Sequence, residues 1–159
     1  MNENVANLSP KTSEAQAEER TAIRILIVED DEILASLMAS VLTDAGYLSE
    51  VATSPEHAQG TYDLVVSDYM APAYVPGQPW PFLDQLRTLS QGGPILGCTG
   101  HQDALADHPA TLGISAVTSK PFDVEELLQT VERLLEQGQR VADASPFRMP
   151  DDTSLLRPV

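Results

Sequence analysis

A single cysteine, Cys98, occurs in the 159 residues. No disulfide can form within the chain, and a reducing compartment fits. Basic residues are also scarce: nine Lys and Arg stand against 24 Asp and Glu, for a net charge of -15. Binding nucleic acid requires Lys and Arg to neutralise phosphates, so this balance argues against a nucleic-acid surface. It argues equally against docking on an anionic membrane. No apolar run approaches membrane-spanning length, and the opening MNENVANLSPK has no apolar signal core. A cytoplasmic protein is expected. The sequence holds no repeat, no P-loop and no glycine-rich dinucleotide motif.

What is present suits one domain with two tails. Hydrophobic residues make up 42% of the chain, enough for a core. Residues 1–22 are polar and without apolar periodicity, and read as a flexible arm. The domain is expected over 23–138, followed by a tail over 139–159. Within the domain, Ile23 to Val28 reads as a buried strand. Ile33, Leu34, Leu37, Met38, Val41 and Leu42 then recur at helical spacing, and Gly46 supplies a left-handed cap. Tyr47 to Thr53 is a second strand. The stretch 54–62 holds Pro55 and Gly60 and is too interrupted for a full helix.

Leu64, Val65 and Val66 form a third strand running into Asp68. Residues 71–81 carry five-fold interruption by Pro72, Pro76, Gly77, Pro79 and Pro81, and read as a long loop. Phe82, Leu83, Leu86 and Leu89 suggest a helix. Ile95 to Cys98 is a fourth strand ending at Thr99, a short helix is expected within 102–110, and Ile114 to Val117 is a fifth strand. In the last helix Asp123 is the N-cap, Glu126 completes a capping box, Leu127, Leu128, Val131, Leu134 and Leu135 form one apolar stripe, and Gly138 is the expected end. Strands alternating with helices predict an α/β fold: a doubly wound, five-stranded parallel sheet with helices on both faces.

In such sheets ligands bind at the carboxyl ends of the strands. Strand one ends in Glu29, Asp30 and Asp31, strand three in Asp68, strand four in Thr99 and strand five near Lys120. In the order 2-1-3-4-5 these ends face one crevice. Clustered carboxylates need a cation or a proton. Hard oxygen ligands suit Mg²⁺. A carboxylate can act as nucleophile to form an acyl phosphate, Lys120 offers a compact positive charge to phosphate oxygens, and Thr99 offers a hydroxyl donor.

The segments I-L-I-V-E-D-D (25–31), D-L-V-V-S-D-Y-M-A-P (63–72), C-T-G (98–100) and S-K-P-F (119–122) resemble the receiver domains of bacterial two-component response regulators. Each motif alone is weak; four in order at strand ends are specific. The resemblance implies a stand-alone receiver with Glu29 and Asp30 as the acidic pair at a Mg²⁺ ion and Asp68 as phosphoacceptor and third carboxylate. Met70 lends its main-chain carbonyl to the metal, Thr99 is the switch hydroxyl, and Lys120 pairs with the phosphate. It further implies a cis bond before Pro121, a histidine kinase or phosphotransfer protein as donor, output through protein contacts and compatibility with a homodimer. It does not imply an enzyme acting on other substrates.

Three features depart from the pattern. Val117 stands where an aromatic switch residue is usual, the stretch after the second strand is short for a helix, and the loop after Asp68 is long. These favour an alternative, a receiver-like binding module that no longer switches. An aspartate-based phosphatase is a third class, but its Asp-x-Asp pair is missing at Asp68-Tyr69-Met70. Asp31 reads as helix-start chemistry, Cys98 as a core residue, and His101 and His108 as surface loop residues without zinc-spaced partners. Trp80 and Phe82 are expected to pack onto the core, with Tyr74 beside them in the loop.

Overall fold

The computed structural model describes residues 22–68 and 75–143. Five strands, β1 (Arg24–Val28), β2 (Leu48–Ala52), β3 (Leu64–Asp68), β4 (Ile95–Thr99) and β5 (Ala116–Ser119), alternate with helices. All pair in parallel in the order β2-β1-β3-β4-β5. The expected doubly wound architecture is therefore the observed one. Side chains alternate along each strand, so the two faces have separate cores. Ile25, Ile27, Leu64, Val66, Leu96 and Cys98 face α1 (Glu32–Asp44) and α5 (Val124–Asp143), meeting Met38, Leu42, Leu127, Val131 and Leu134. Leu26, Val28, Val65 and Ile95 face the other side, where α2 (Leu83–Leu89) and α4 (Pro109–Leu112) contribute Leu86, Leu89 and Leu112. A five-residue helix, α3 (Gln102–Ala106), precedes α4.

Local signals explain where the elements begin and end. Asp31 Oδ1 accepts the amide hydrogens of Ile33 and Leu34 at 2.9 and 3.0 Å, so it is the N-cap of α1. Gly46 follows the helix with φ +95°, a conformation that costs glycine little. Asp123 Oδ1 accepts from the amides of Glu125 and Glu126 and starts α5. His108 is exposed as expected, and its Nδ1 accepts the Ala110 amide hydrogen at 3.2 Å to cap α4. The stretch 54–62 holds a single 3-10 turn, Pro55–His57, and no α-helix.

Three expectations need correction. Gly138 does not end α5, which runs on to Asp143. Gly138 has no positive φ, and a Cβ there would meet Pro94 Cδ at an ordinary 3.5 Å. Its helix penalty of about 1 kcal/mol is spread against the good helix formers around it, Gln137, Gln139 and Arg140. The fifth strand begins at Ala116, two residues later than Ile114. Ile114 belongs to the end of α4: its amide donates to the Pro109 carbonyl, and it follows Gly113, whose φ is +75°. An apolar residue just after such a glycine packs back on its own helix, which mimics the start of a strand. Phe82 is the third case. Trp80 is 1% exposed as expected, but Phe82 is 45% exposed and sits at φ +58° before α2.

Candidate functional site at the carboxyl edge of the sheet

Register brings the site together. Val28 pairs with Ala52 and Ser67, Asp68 with Cys98, and Thr99 with Ser119. The residues at and just beyond these rungs are Glu29, Asp68, Thr99 and Lys120. Parallel strands in this order place them on one edge, at the point between β1 and β3 where the chain winds in opposite directions.

Lys120 lies between two carboxylates. Its Nζ is 2.7 Å from Glu29 Oε2 and 2.7 Å from Asp68 Oδ1. The Glu29 side chain is 1% exposed, so it depends on these partners; the Asp31 amide also donates to its Oε1 at 3.1 Å. Burial pushes the Glu29 carboxyl above its usual range. The hydrogen bonds from Lys120 and the Asp31 amide pull it down, and the Asp68 charge adds to the rise. Burial disfavours the Lys120 charge, but its hydrogen bonds to Asp68 and Glu29 outweigh this and hold the ammonium above its usual range. The Lys120 shift reflects the pull of the two carboxylates on positive charge, whereas the Glu29 shift reflects first its burial.

Glu29, Asp30 and Asp68 offer carboxylate oxygens that all lie within 4.8 Å of one another. Three carboxylates and one ammonium leave a formal charge of about -2. An all-oxygen donor set of that charge fits a hard divalent cation. Asp30 is exposed, which gives an ion access from solvent. Asp31, next to it, is engaged in capping α1 and is no part of the cluster.

Thr99 is fully buried at the end of β4, and its Oγ1 accepts the His101 amide hydrogen at 3.0 Å. Its carbonyl receives the Lys120 amide at 2.8 Å, so β4 directs the chain that carries the lysine. The bond between Lys120 and Pro121 is cis. Met70 and Tyr74 lie outside the described residues. Cys98 is a core residue, and burial pushes its thiol up to about 12.

Ser67 escaped notice in the sequence. It is 2% exposed, accepts a hydrogen bond from Trp80 Nε1 at 3.2 Å and donates to the Asp68 carbonyl at 3.1 Å. The signal for it was a hydroxyl at the end of an otherwise apolar central strand, where a polar group needs a partner.

A parallel sheet of this winding, with a lysine held between carboxylates at its carboxyl edge, defines a class of doubly wound α/β domains whose site can take a cation and an anionic group. A family model described as the response regulator receiver domain matches residues 25–132. The chain belongs to that family, the phosphoacceptor module of two-component signalling. It is 32% identical over 137 residues to the transcriptional regulatory protein CusR of Escherichia coli (strain K12), covering 81% of this chain and 58% of that protein. It is 31% identical over 125 residues to the transcriptional regulatory protein TcrA of Mycobacterium tuberculosis, covering 74% of this chain and 48% of that one. The chain thus spans about half the length of the curated relatives it matches. Among solved structures, chemotaxis response regulator CheY4 of Vibrio cholerae superposes with a TM-score of 0.59 at 25% identity, over 72% of this chain and 99% of CheY4. A response regulator receiver protein from Sinorhizobium medicae gives 0.58 at 30% identity, over 73% of this chain and 96% of the other. No helix among the described residues is long and apolar enough to cross a membrane.

Proposed function

We propose that this chain is a cytoplasmic receiver that accepts a phosphoryl group on Asp68. The donor is a phosphohistidine of a histidine kinase or phosphotransfer protein. An Asp68 carboxylate oxygen attacks phosphorus, the P–N bond breaks with its electron pair going to the imidazole, and an acyl phosphate forms. Lys120 holds Asp68 in place through Oδ1 and is positioned to pair with the added phosphate oxygens. The Thr99 hydroxyl retains a proton to donate to the phosphoryl group. Glu29, Asp30 and Asp68, with the Met70 carbonyl, are the residues that would hold Mg²⁺, and the bound ion would offset the charge of the entering phosphoryl group. The proposed domain spans 23–138, with α5 carrying the fold a little further, and its output runs through protein contacts.

The observation that supports this reading best is Lys120 bonded to both Glu29 and Asp68 at 2.7 Å, beside Asp30. Val117, where an aromatic residue is usual, supports the non-switching module, as does the single 3-10 turn where a second helix is usual. One experiment separates the two. Incubated with Mg²⁺ and a small-molecule phosphodonor, the protein is expected to gain acid-labile phosphate, mapped by mass to Asp68, and Asp68→Asn is expected to lose that uptake while keeping its fold. Undiminished uptake on the mutant would refute the acceptor assignment, and an unlabelled wild type would favour the binding module.

A further inference from the structure

The acceptor strand has a second connection that the phosphoryl chemistry does not use. Trp80 is buried to 1% exposure, while residues 75–79 just before it are all exposed. That exposed segment is a tight turn: the Gln78 amide donates to the Val75 carbonyl at 3.3 Å, with Gly77 at φ +76° between them. Trp80 holds it to the body at three points. Its amide donates to the Leu112 carbonyl at 2.9 Å. Its indole N–H donates to Ser67 Oγ at 3.2 Å. Its ring lies on β4 at Gly97, where a Cβ would come within 2.5 Å of Cη2.

The indole therefore has no room to move toward β4. Ser67, its polar partner, passes the contact on by donating to the Asp68 main-chain carbonyl at 3.1 Å. Resting on the acceptor reading of Asp68, we propose that Trp80 is a positioning residue: through Ser67 it sets the main chain of the acceptor, and it couples the phosphorylation state of Asp68 to the exposed residues on either side of it, 75–79 and Phe82. A shift of the Asp68 carbonyl on phosphorylation changes what Ser67 can offer the indole. Because close packing at Gly97 blocks inward relaxation, the indole yields toward the loop. The exposed end of this coupling is apolar, with Val75 52% and Phe82 45% exposed.

Trp80 is the sole tryptophan, so all tryptophan emission comes from this position. The test uses the full chain with Mg²⁺ and acetyl phosphate. Wild-type emission is expected to change in step with phosphate uptake, and Ser67→Ala is expected to lose most of that change. Trp80→Phe keeps a ring over Gly97 but no N–H. In both variants the phosphorylation or dephosphorylation rate is expected to shift about two- to ten-fold, the rate equivalent of one hydrogen bond, with melting within a few degrees of wild type. A stable variant pair with wild-type rates, or a wild type that takes up phosphate with unmoved Trp80 emission, would overturn the coupling while leaving the acceptor reading intact. A wild type that takes up no phosphate would remove the acceptor reading and the coupling together.

Discussion

Gly97 and Cys98 are neighbours on β4 and point to opposite faces of the sheet, into two differently built cores. Cys98 enters the face filled by α1 and α5, whose apolar residues recur at regular helical intervals. Gly97 faces Trp80 and Ile114, which come from a loop and a helix end, and Tyr62 joins them from another loop. The first face is built from repeats and needs only side chains of suitable size. The second takes Leu86 and Leu89 from α2 but otherwise depends on single residues fitted to one another, and it is the one that joins β3 to exposed chain. The site belongs to neither core; it sits at the rim where both end.

The largest difference between the faces should appear in chemistry at Cys98. With its thiol pushed up to about 12 by burial, the native thiolate population falls roughly a thousand-fold below that of an ordinary cysteine. Alkylation near pH 8 is expected to track unfolding, and fast labelling of the native protein would show the α1/α5 face to be open. The sign for stability follows. Below the unfolded value of 9.0 the thiol is neutral in both states and the native protein keeps its full margin. As pH rises from there towards 12 only the unfolded chain ionises, so this group's contribution to stability is lost with increasing pH.

A smaller effect is expected at Gly97. Gly97→Ala places a methyl group within 2.5 Å of Trp80 and 2.7 Å of Ile114. The cost should be about 1–3 kcal/mol in denaturant melts, as for other overpacked cores. A neutral result would mean that the Trp80 face yields easily and cannot transmit a displacement. Smallest is Gly138→Ala, where the new Cβ meets Pro94 at ordinary contact distance. It should raise stability by up to about 1 kcal/mol; a loss would mean that the end of α5 needs glycine for packing.

The same contrast explains how much could be read in advance. The α1/α5 face was legible because Met38 and Leu42, or Leu127, Val131 and Leu134, repeat with the helical period. The site was legible because its residues are chemically conspicuous and each stands at a strand end, so Glu29, Asp30, Asp68 and Lys120 could be brought together by strand order alone. The Trp80 face was legible only in part: Trp80 and the Leu86 and Leu89 repeat were expected in a core, but the fitting around them was not. Nothing in the local sequence tells Ile114 after a capping glycine from Ile114 starting a strand. Trp80 and Phe82 are alike in hydrophobicity, and only the pocket over Gly97 selects the former for burial. Gly138 carries a real helix-ending signal that tertiary packing beside Pro94 overrides. Ser67 has meaning only once an indole is placed above it.

The central claim is that charged groups from separate strands converge on one cation-sized site. Thermal melting over a Mg²⁺ titration tests it most directly, because an ion bound only by the folded state raises the melting temperature. The account predicts a concentration-dependent rise for the wild type that shrinks in Asp30→Asn, whose exposed side chain has no other structural duty among the described contacts. No rise up to about 10 mM Mg²⁺, or an equal rise in both proteins, would contradict it.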